Sequence, residues 1–285
     1  MKTIALIVTY NRLADLRKCI FSLRRQTLNE FDILVVNNGS SDGTKEYLDS
    51  EKGLMTIHQD NLGGAGGFYA GMKYMMDNGY DWLWMMDDDG IAEAHQLEEL
   101  MKYASERDYP VVNALVLNRD RKDELSFHAP VRFQKELDGQ ELTNAFVHPF
   151  NGTLIHRSVI EKVGMIKKEM FIWGDEMEYM ERLRVNGYKP ATIVKAIHYH
   201  PKEKGKKMRV IPFIDKYQIM DKPAKFSKYY YRNTGFMHRE YGHHWYTGTP
   251  FVCNNLIAQL IRGRFGEASK FIKYYLKGRR NDFTD

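Results

Sequence analysis

The sequence predicts an α/β fold: a mixed, mainly parallel sheet flanked by helices, with a C-terminal helical extension. Strand-like apolar runs alternate with helical patterns through the first hundred residues, which is the arrangement that builds a parallel sheet covered by helices. From about Phe226 onwards, apolar residues instead recur at helical spacing. We therefore expect a main domain over residues 1–215 and a helical extension over residues 216–285.

The first predicted strands each lead into a turn or a helix. They are Thr3–Thr9, Phe31–Val36, Met55–His58 and Trp82–Met86. Between the first two, apolar residues recur at helical spacing from Leu13 to Leu23. The polar run Asn38–Gly43 predicts a turn, and a short helix follows it through Leu48.

The second half of the chain is more mixed. We expect strands at Val111–Leu117 and Asn151–His156, with a hairpin over Leu125–Phe133 between them. A helix is expected from Asp175 to Val185, and three helices with aromatic and basic faces from about Phe226 to the end.

Composition excludes several classes of protein. The 285 residues are 43% hydrophobic and 28% charged, which is ordinary for a globular chain, and the net charge of +5 does not require a nucleic acid partner. Cys19 and Cys253 lie far apart and lack metal-ligand spacing, so neither a disulfide framework nor a zinc site is indicated. A reducing compartment fits this cysteine usage best.

Apolar runs are short throughout the sequence. The run Ile4–Val8 is too short for the apolar region of a signal peptide, and no run approaches the ~20 residues that a membrane-spanning helix needs. We expect a cytoplasmic protein, with a peripheral position at the inner face of the cell membrane as the alternative.

Three consecutive acids follow the fourth predicted strand. If strand geometry continues to residue 89, Asp87 and Asp89 share one face and Asp88 points away. Neighbouring carboxylates at the end of a buried strand repel each other, and a divalent cation that also bridges phosphate oxygens removes that cost. The alternative is an acidic turn that caps the following helix.

The glycine-rich run Gly63–Gly67 opens the helix before this strand. Its backbone could approach a diphosphate closely and offer N–H groups from a helix start. The spacing matches neither the dinucleotide-binding fingerprint nor a phosphate-binding P-loop, which argues against oxidoreductases and P-loop kinases. The alternative is a tight connection between strand and helix.

Acids also gather at the predicted start of the helix at residue 175. Asp175 or Glu176 would serve as a general base, or both simply stabilise the positive end of the helix dipole. The helix start would lower the pKa of the base, whereas the apolar neighbours Trp173 and Met177 would raise it by desolvation. The balance between these effects stays open.

Two histidines, His198 and His200, share a face if their segment is extended. That arrangement suits a metal ligand or a phosphate donor, and a purely structural pair is the alternative.

The C-terminal helices carry apolar stripes edged by arginine and lysine. Such helices bind an anionic membrane surface, pack on the main domain or form a homo-oligomer. The stripe residues are Leu256, Ile257, Leu260, Ile261, Phe271, Ile272, Tyr275 and Leu276.

In chain order over roughly residues 3–200, these motifs together resemble glycosyltransferase family 2, which has the GT-A fold. The motifs that carry the resemblance are Thr9–Arg12, Val36–Thr44, Gly63–Gly67, Asp87–Asp89 and Trp173–Glu176. Asn61–Phe68 and the three aspartates are most similar to galactofuranosyltransferases, with rhamnosyltransferases next. Tyr229–Asn233 is similar to segments of both groups.

The resemblance implies a set of donor-binding residues. They are Thr9, Asn11, Arg12, Asn37, Asn61, Gly64, Asp87 and Asp88. Thr9 and Asn37 would line the nucleobase pocket. The family usually has Asp in place of Asn37, whose amide oxygen can still accept a hydrogen bond from uracil or thymine, so UDP and dTDP donors stay open.

The resemblance also implies a metal site for Mn²⁺ or Mg²⁺. Asp87 and Asp89 would hold the ribose, the metal and the diphosphate, with His198 completing the metal shell and His200 as the alternative.

The catalytic and acceptor roles implied by the resemblance fall on the segment at residues 173–179. Glu176 would be the base and Asp175 would orient the acceptor. Trp173 and Tyr179 would offer apolar faces to a sugar ring, with core packing as the alternative.

The implied activity is that of an inverting hexosyltransferase in cell-surface polysaccharide biosynthesis. The favoured donor is UDP-galactofuranose and the acceptor a glycan or lipid-linked glycan, with dTDP-rhamnose as the alternative donor. Two other classes stay open at this point: a nucleotidyltransferase, which would release pyrophosphate from a nucleoside triphosphate, and a non-catalytic protein that binds sugar nucleotides.

Overall fold

The computed structural model describes residues 1–107, 109–127, 137, 139–144, 148–202, 206–242 and 245–284. The chain groups into two compact units. One is formed by Met1–Lys168 with Tyr179–Glu203, and the other by Glu169–Glu178 with Lys204–Asp285. The second unit thus includes a short segment from the middle of the chain. The division into domains at residue 215 stays a prediction.

The first unit is built on one large mixed sheet. Its strands are β1 (Thr3–Thr9), β2 (Asp32–Asn38), β3 (Met55–Gln59), β4 (Trp82–Asp87), β5 (Ile91–Ala92), β6 (Val111–Asn118), β7 (Leu142–Thr143), β8 (Thr153–His156) and β9 (Ala191–His200). They follow the order β3-β2-β1-β4-β8-β6-β9-β5, and β7 also pairs with β9. The longest pairings, among β3, β2, β1 and β4 and between β6 and β9, are parallel. The predicted α/β class with a mainly parallel mixed sheet is confirmed.

Helices cover the sheet and form most of the second unit. They are α1 (Leu13–Leu23), α2 (Thr44–Ser50), α3 (Gly63–Asp77), α4 (Gln96–Glu106), α5 (Arg157–Val163), α6 (Asp175–Val185), α7 (Ser227–Glu240), α8 (Trp245–Leu260) and α9 (Phe265–Arg279). A two-stranded hairpin, β10 (Lys207–Arg209) and β11 (Gln218–Met220), belongs to the second unit. The helices α4 and α5 and the hairpin were not predicted from the sequence. The predicted hairpin over Leu125–Phe133 lies mostly outside the described residues.

Strand β1 is buried on both faces, which explains its continuous apolar sequence. Ala5 and Ile7 belong to a core that includes residues of α1 and α4. Ile4, Leu6 and Val8 alternate with them and belong to a second core that includes residues of α3. The strand therefore lies at the centre of the first unit.

Helix α3 approaches β1 closely because two of its residues are glycines. A methyl group added at Gly67 would overlap Val8, and one added at Gly71 would overlap Leu6. These glycines allow the helix to lie close against the strand.

The second unit has its own packing between α7 and α9. A methyl group at Gly278 would overlap the carbonyl oxygen of Arg232, so the two helices lie nearly in backbone contact. Phe271 is buried and lies edge-on to Tyr231 at 5.0 Å between ring centres. Part of the α9 apolar stripe is therefore covered by α7. No helix in the described part of the chain is long and apolar enough to span a bilayer.

Candidate active site

The carboxyl ends of three parallel strands meet at one edge of the sheet. The register pairs Thr9 of β1 with Asn37 of β2, and Val8 of β1 with Asp87 of β4. Strands β2 and β3 lie on one side of β1 and β4 lies on the other, so β1 is the point where the strand order reverses. In open α/β sheets ligands bind outside the carboxyl ends of the strands at such a point.

The Asp88 carboxylate is held at this edge by β1. Its Oδ2 accepts hydrogen bonds from Thr9 Oγ1 at 2.7 Å and from the Tyr10 backbone N–H at 3.3 Å, and Arg12 Nη1 lies 3.7 Å from its Oδ1. Burial raises the pKa of Asp88 to about 6, against the opposing effects of Thr9 and Arg12 and with a further contribution from the charge of Asp89. Asp88 is thus a carboxyl group that is costly to ionise.

The pKa of Asp89 is shifted in the opposite direction to that of Asp88. Burial alone would raise its pKa, but His200 and the Arg12 guanidinium, which ion-pairs with Asp89, outweigh burial and lower the pKa to about 2. His200 Nε2 lies 3.0 Å from Asp89 Oδ1, and its Nδ1 lies 2.8 Å from the carbonyl oxygen of Pro201. Burial would lower the pKa of His200, but Asp89 outweighs burial and raises it. Both ring nitrogens face oxygen acceptors, which suits an imidazolium.

The chain leaves the strand earlier than the sequence argument assumed. Strand β4 ends at Asp87, and the Gly90 N–H donates to the Asp87 carbonyl at 3.3 Å in the turn that follows. Strand alternation therefore does not extend to Asp88 and Asp89. Asp88 and Asp89 both lie beside the Arg12 guanidinium.

The two histidines lie on the extended strand β9, as predicted, but only His200 reaches Asp89. His198 is completely buried, with its Nδ1 3.2 Å from Gln96 Oε1. Its Nε2 has no hydrogen-bond partner and lies against Gly90, where an added methyl group would overlap it. Burial, reinforced by the charge of His200, lowers the pKa of His198 to about 3. Within the described residues no three His, Cys, Asp or Glu side chains form a group that could hold a metal.

On the side of β2, Asn37 is buried and its amide is in use. Its Oδ1 accepts from the Ser40 N–H at 3.0 Å, and its Nδ2 lies 3.2 Å from His58 Nδ1. His58 in turn lies 3.0 Å from Asp49 through its Nε2. Asn37 therefore reaches the same edge as Thr9 but is held there by its own loop and by β3.

Asn38 links the end of β2 to the glycine-rich helix start. Its Oδ1 accepts from the Leu62 N–H at 3.1 Å and from Gln59 Nε2 at 2.9 Å. Its Nδ2 donates to Asn61 Oδ1 at 3.3 Å and to the Gly63 carbonyl at 2.8 Å. Sequence reasoning assigned Asn38 to a turn and gave it no role.

The predicted Asn61 and Gly64 lie in the loop that Asn38 fixes. Asn61 Oδ1 accepts from the Gly63 N–H at 3.0 Å, and Gly63 has a positive φ of 74°. Nothing lies within 4 Å of the position that a Cβ on Gly64 would take. Gly64 thus has space for a ligand beside it, whereas a Cβ at Gly66 or Gly67 would overlap Leu62 or Val8.

Asn11 and Arg12 follow β1. Asn11, with φ of 53°, accepts from the Ser41 N–H at 2.7 Å through its Oδ1, and its own N–H donates to Ser40 Oγ at 2.9 Å. The loops after β1 and β2 are therefore tied together by Asn11. The Arg12 side chain keeps 52% of its surface exposed while it pairs with both acids.

Two residues near the acids were missed by sequence reasoning. Arg119, directly after β6, donates to the Asp89 carbonyl at 3.4 Å and to Asp15 at 3.3 Å. His148 stacks on Phe127 at 5.0 Å, and burial lowers its pKa to about 4. Arg119 could have been predicted as a site residue, because it is a basic residue directly after a predicted strand. No local feature of the sequence predicts a role for His148.

The predicted catalytic acids belong to the second unit, at the start of α6. Asp175 and Glu178 are buried and Glu176 is half-buried. The Tyr241 hydroxyl donates a short hydrogen bond to Glu178. Met177 is 48% exposed.

The loop before α6 has an unusual backbone. Phe171 and Trp173 have φ of 66° and 63°, a region that bulky residues rarely adopt, and Gly174 follows with φ of 95°. Asn233 Nδ2 donates to the carbonyls of Met170, Ile172 and Trp173 at 2.9, 3.1 and 2.9 Å. Such strain persists where the surroundings enforce it, and it often marks functional sites.

The two predicted acceptor residues have different environments. Trp173 is half-buried, with Lys222 Nζ 4.3 Å from its ring centre. Tyr179 belongs to the first unit, is completely buried and donates to the Gly164 carbonyl at 3.2 Å. A ring without exposed surface has no face to offer a sugar. The acceptor role of Tyr179 is therefore corrected to core packing.

Known proteins resemble this chain over most of its length. The profile of Glycosyl transferase family 2 matches residues 4–164. Galactofuranosyltransferase GlfT1 from Mycobacterium tuberculosis (strain ATCC 25618 / H37Rv) is 33% identical over 248 residues, which are 82% of this chain and 81% of the relative. dTDP-rhamnosyl transferase RfbF from Shigella flexneri is 26% identical over 179 residues, which are 59% of this chain and 58% of the relative.

The fold is also found in a solved structure. The crystal structure of S. aureus TarS 1–349 in complex with UDP superimposes with a TM-score of 0.58 at 14% sequence identity, covering 99% of this chain and 88% of that one. Both relatives are named as sugar transferases, which argues against the nucleotidyltransferase and non-catalytic alternatives. With a carboxyl-edge site on a GT-A sheet and a family profile that covers over half of its residues, the chain belongs to glycosyl transferase family 2 and is a nucleotide-sugar-dependent glycosyltransferase.

Proposed function

We propose that the chain transfers galactofuranose from UDP-galactofuranose to a glycan or lipid-linked glycan acceptor, with inversion at the anomeric carbon. The observation that carries this proposal is the likeness to GlfT1, whose 248 matched residues extend beyond the family domain at residues 4–164. The likeness to RfbF favours dTDP-rhamnose as the second candidate donor.

In this proposal the donor binds at the carboxyl edge of the parallel strands. Thr9 and Asn37 contact the nucleobase side, and Asp87 and Asp88 the ribose and diphosphate side. The half-exposed Arg12 supplies positive charge, and the open backbone at Gly64 allows close approach of the diphosphate. Asn11 and Asn61 hold the loops that carry these groups.

A divalent cation, Mn²⁺ or Mg²⁺, would bind together with the donor, because the described residues form no group of three His, Cys, Asp or Glu ligands on their own. One or two carboxylates together with substrate phosphate oxygens are the usual ligands of such an ion, and Asp87 and Asp89 would supply the carboxylates. The unpartnered, neutral Nε2 of His198 is a further available donor, with His200 as the alternative. When bound, the ion would neutralise negative charge that develops on the leaving diphosphate.

The reaction itself is assigned to the start of α6. Glu176 takes the proton of an acceptor hydroxyl, while Asp175 orients the acceptor and Trp173 offers it an apolar face. The hydroxyl oxygen then attacks the anomeric carbon from the side opposite the nucleotide diphosphate, which leaves. A single displacement of this kind inverts the configuration.

The acceptor class places the enzyme in cell-surface polysaccharide biosynthesis. A lipid-linked acceptor would be met at the inner face of the cell membrane, so a peripheral position there is part of the proposal. A homo-oligomer through the C-terminal helices stays a prediction.

The test is a donor panel with manganese. Purified enzyme is incubated with UDP-galactofuranose, UDP-galactopyranose or dTDP-rhamnose and a glycan acceptor, and the linkage in the product is determined by NMR. A β-linked galactofuranose product from the α-linked donor is the expected result. Efficient transfer from dTDP-rhamnose alone would overturn the sugar assignment, and retention of configuration would overturn the single displacement.

A further inference from the structure

The β10–β11 hairpin of the second unit presents apolar side chains to solvent. At its base, Val210 and Ile219 are buried with Ala258 of α8. At its tip, residues 211–217, the apolar side chains point outward. The exposed fractions are 40% for Ile211, 95% for Phe213, 44% for Ile214 and 47% for Tyr217.

The backbone of the tip is a tight turn with Phe213 in a strained position. The Ile214 N–H donates to the Ile211 carbonyl at 3.2 Å, with Pro212 second in the turn and Phe213 third. Phe213 has φ of 69°, which turns of this kind normally give to glycine. A bulky residue there costs backbone energy, and its exposed ring returns no burial. The stability of the unit therefore gives no reason for Phe213 at this position, which motivates a functional hypothesis for it.

Side-chain contacts reach the hairpin both across its tip and at its base. Arg209 Nε lies 2.5 Å from Asp215 Oδ1 across the loop. Arg262, after α8, donates to the carbonyls of Arg209 and Val210 at 2.6 and 3.3 Å. The apolar tip is thus carried on a fixed support.

Basic side chains surround the tip. Residues 206–221 contain Lys206, Lys207, Arg209 and Lys216 against Asp215 and Asp221, and Arg262 and Arg264 add two further cations. Arg209 pairs with Asp215, and Lys206 and Arg264 pair with Asp221, so the cations outnumber the acids that they meet. A cavity of about 560 Å³ lies beside the tip and is lined by Lys207, Arg209, Phe213 and Arg262, among others. The α8–α9 junction next to Arg262 adds exposed apolar surface, at 48% for Leu260, 53% for Ile261 and 67% for Phe265.

We propose that the tip, residues 211–217, inserts into the headgroup region of an anionic bilayer. Apolar and aromatic side chains within a ring of lysine and arginine are the composition of interfacial membrane contacts, where each cation near the surface adds about 1 kcal/mol. A projecting tip suits a deformable surface better than a flat protein interface. This inference deepens the membrane location proposed above and differs from docking through the α9 stripe, part of which α7 covers.

The test is flotation of the full-length protein with vesicles of phosphatidylcholine alone or with phosphatidylglycerol, at low and high salt. We expect binding to the anionic vesicles at low salt. Phe213→Gly should lower the partition coefficient on the order of tenfold, because it removes the ring while suiting the turn. Lys207→Glu should lower it at least about fivefold. Thermal unfolding of Phe213→Gly should occur at or above the parent temperature.

The matched controls are Phe21→Ser, an aromatic residue 59% exposed on α1 of the first unit, and Lys102→Glu, an exposed lysine on α4. Both should bind vesicles as the parent does. Equal binding of Phe213→Gly and parent, or equal binding to neutral and anionic vesicles, would overturn the proposal. The proposal would also be overturned if the parent did not bind vesicles but formed a dimer that Phe213→Gly dissociates, because the tip would then be a contact between two copies of the chain. Because transfer is not measured, none of these results bears on the choice of donor sugar.

Discussion

The two acidic clusters of this enzyme are held in different ways. Asp88 and Asp89 are fixed by side chains from distant parts of the chain, among them Thr9 and His200, and their pKa values are driven apart to about 6 and about 2. At the start of α6, a single helix turn gathers the acids: Asp175 and Glu178 are buried, and Glu176 keeps part of its surface exposed.

The difference suggests that the first cluster binds charged ligands and that the second transfers a proton. Carboxylates that already pair with cationic side chains suit a site that binds charged ligands. A bound ligand or metal ion can take the place of those side chains as the partner of the carboxylates. A carboxylate that keeps part of its surface exposed suits a base, because an acceptor hydroxyl can reach it. We therefore expect substitutions in the first cluster to impair donor binding and those in the second to impair turnover.

The largest effect is expected at Glu176. Glu176→Gln preserves shape and removes basicity, so turnover should fall by roughly 10²–10⁴-fold while the affinity for UDP and manganese stays nearly unchanged. Steady-state kinetics and calorimetric titration measure the two quantities. Glu181→Gln, on the same helix, is the control and should keep full turnover. A fully active Glu176→Gln beside an inactive Asp175→Asn would exchange the roles of these two acids.

Asp89 should carry the next largest effect. Asp89→Ala removes the carboxylate that pairs with Arg12 and His200, so the affinity for UDP with manganese should fall on the order of 100-fold or more. Asp77→Ala, at the exposed end of α3, is the control for losing a carboxylate elsewhere. Binding of UDP and manganese by Asp89→Ala with parent affinity would end the metal assignment.

The opposed pKa shifts predict a stability maximum in acid for the metal-free enzyme. The pKa of Asp88 is raised, so its contribution is present below about pH 4 and is lost as pH rises through about 6. The pKa of Asp89 is lowered, so its contribution is present above about pH 4 and is lost as pH falls towards 2. Between pH 4 and 6 the free energy of unfolding should fall by on the order of 2 kcal/mol in the parent, and Asp88→Asn should remove this fall. Urea unfolding in EDTA at several pH values measures it. If the free energy of unfolding of Asp88→Asn falls with pH as steeply as that of the parent, Asp88 is not the source of the pH dependence.

The smallest effect is expected at Tyr241. Tyr241→Phe removes the hydroxyl that donates to the buried Glu178, so the free energy of unfolding should fall by about 1 kcal/mol. The half-buried Tyr274 provides the control Tyr274→Phe, which should change it little. Urea unfolding compares the two variants, and equal stabilities would mean that the acids at the α6 start do not depend on Tyr241.

The sequence predicted the fold well because its signals are local. Strand β1 has the predicted bounds Thr3–Thr9, and α1 has the predicted Leu13–Leu23, since apolar periodicity reports burial directly. Strands β2 and β4 run one or two residues further than predicted, because neighbouring strands pair with polar residues that propensity assigns to turns.

The site was harder to predict because its contacts join distant residues. The sequence identified Asp88, Asp89 and Arg12 but did not reveal that one guanidinium serves both acids. The contact between His200 and Asp89 depends on how β9 is placed in the sheet, and the burial of Tyr179 depends on which face of α6 meets the core. Phe213 is exposed although an aromatic residue is expected to be buried, so hydrophobic patterning could not have predicted the exposed tip.

Asn38 has a consequence for how this enzyme ages. It precedes Gly39, and Asn–Gly is the dipeptide in which the backbone nitrogen most readily attacks the side-chain amide, converting asparagine to aspartate or isoaspartate. Here the amide is buried and both its atoms are engaged by the helix start and by β3. Deamidation therefore requires the loop to open, and its product would set a carboxylate against the Gly63 carbonyl. The accumulation of isoaspartate at residue 38 would thus record how often this edge of the sheet opens.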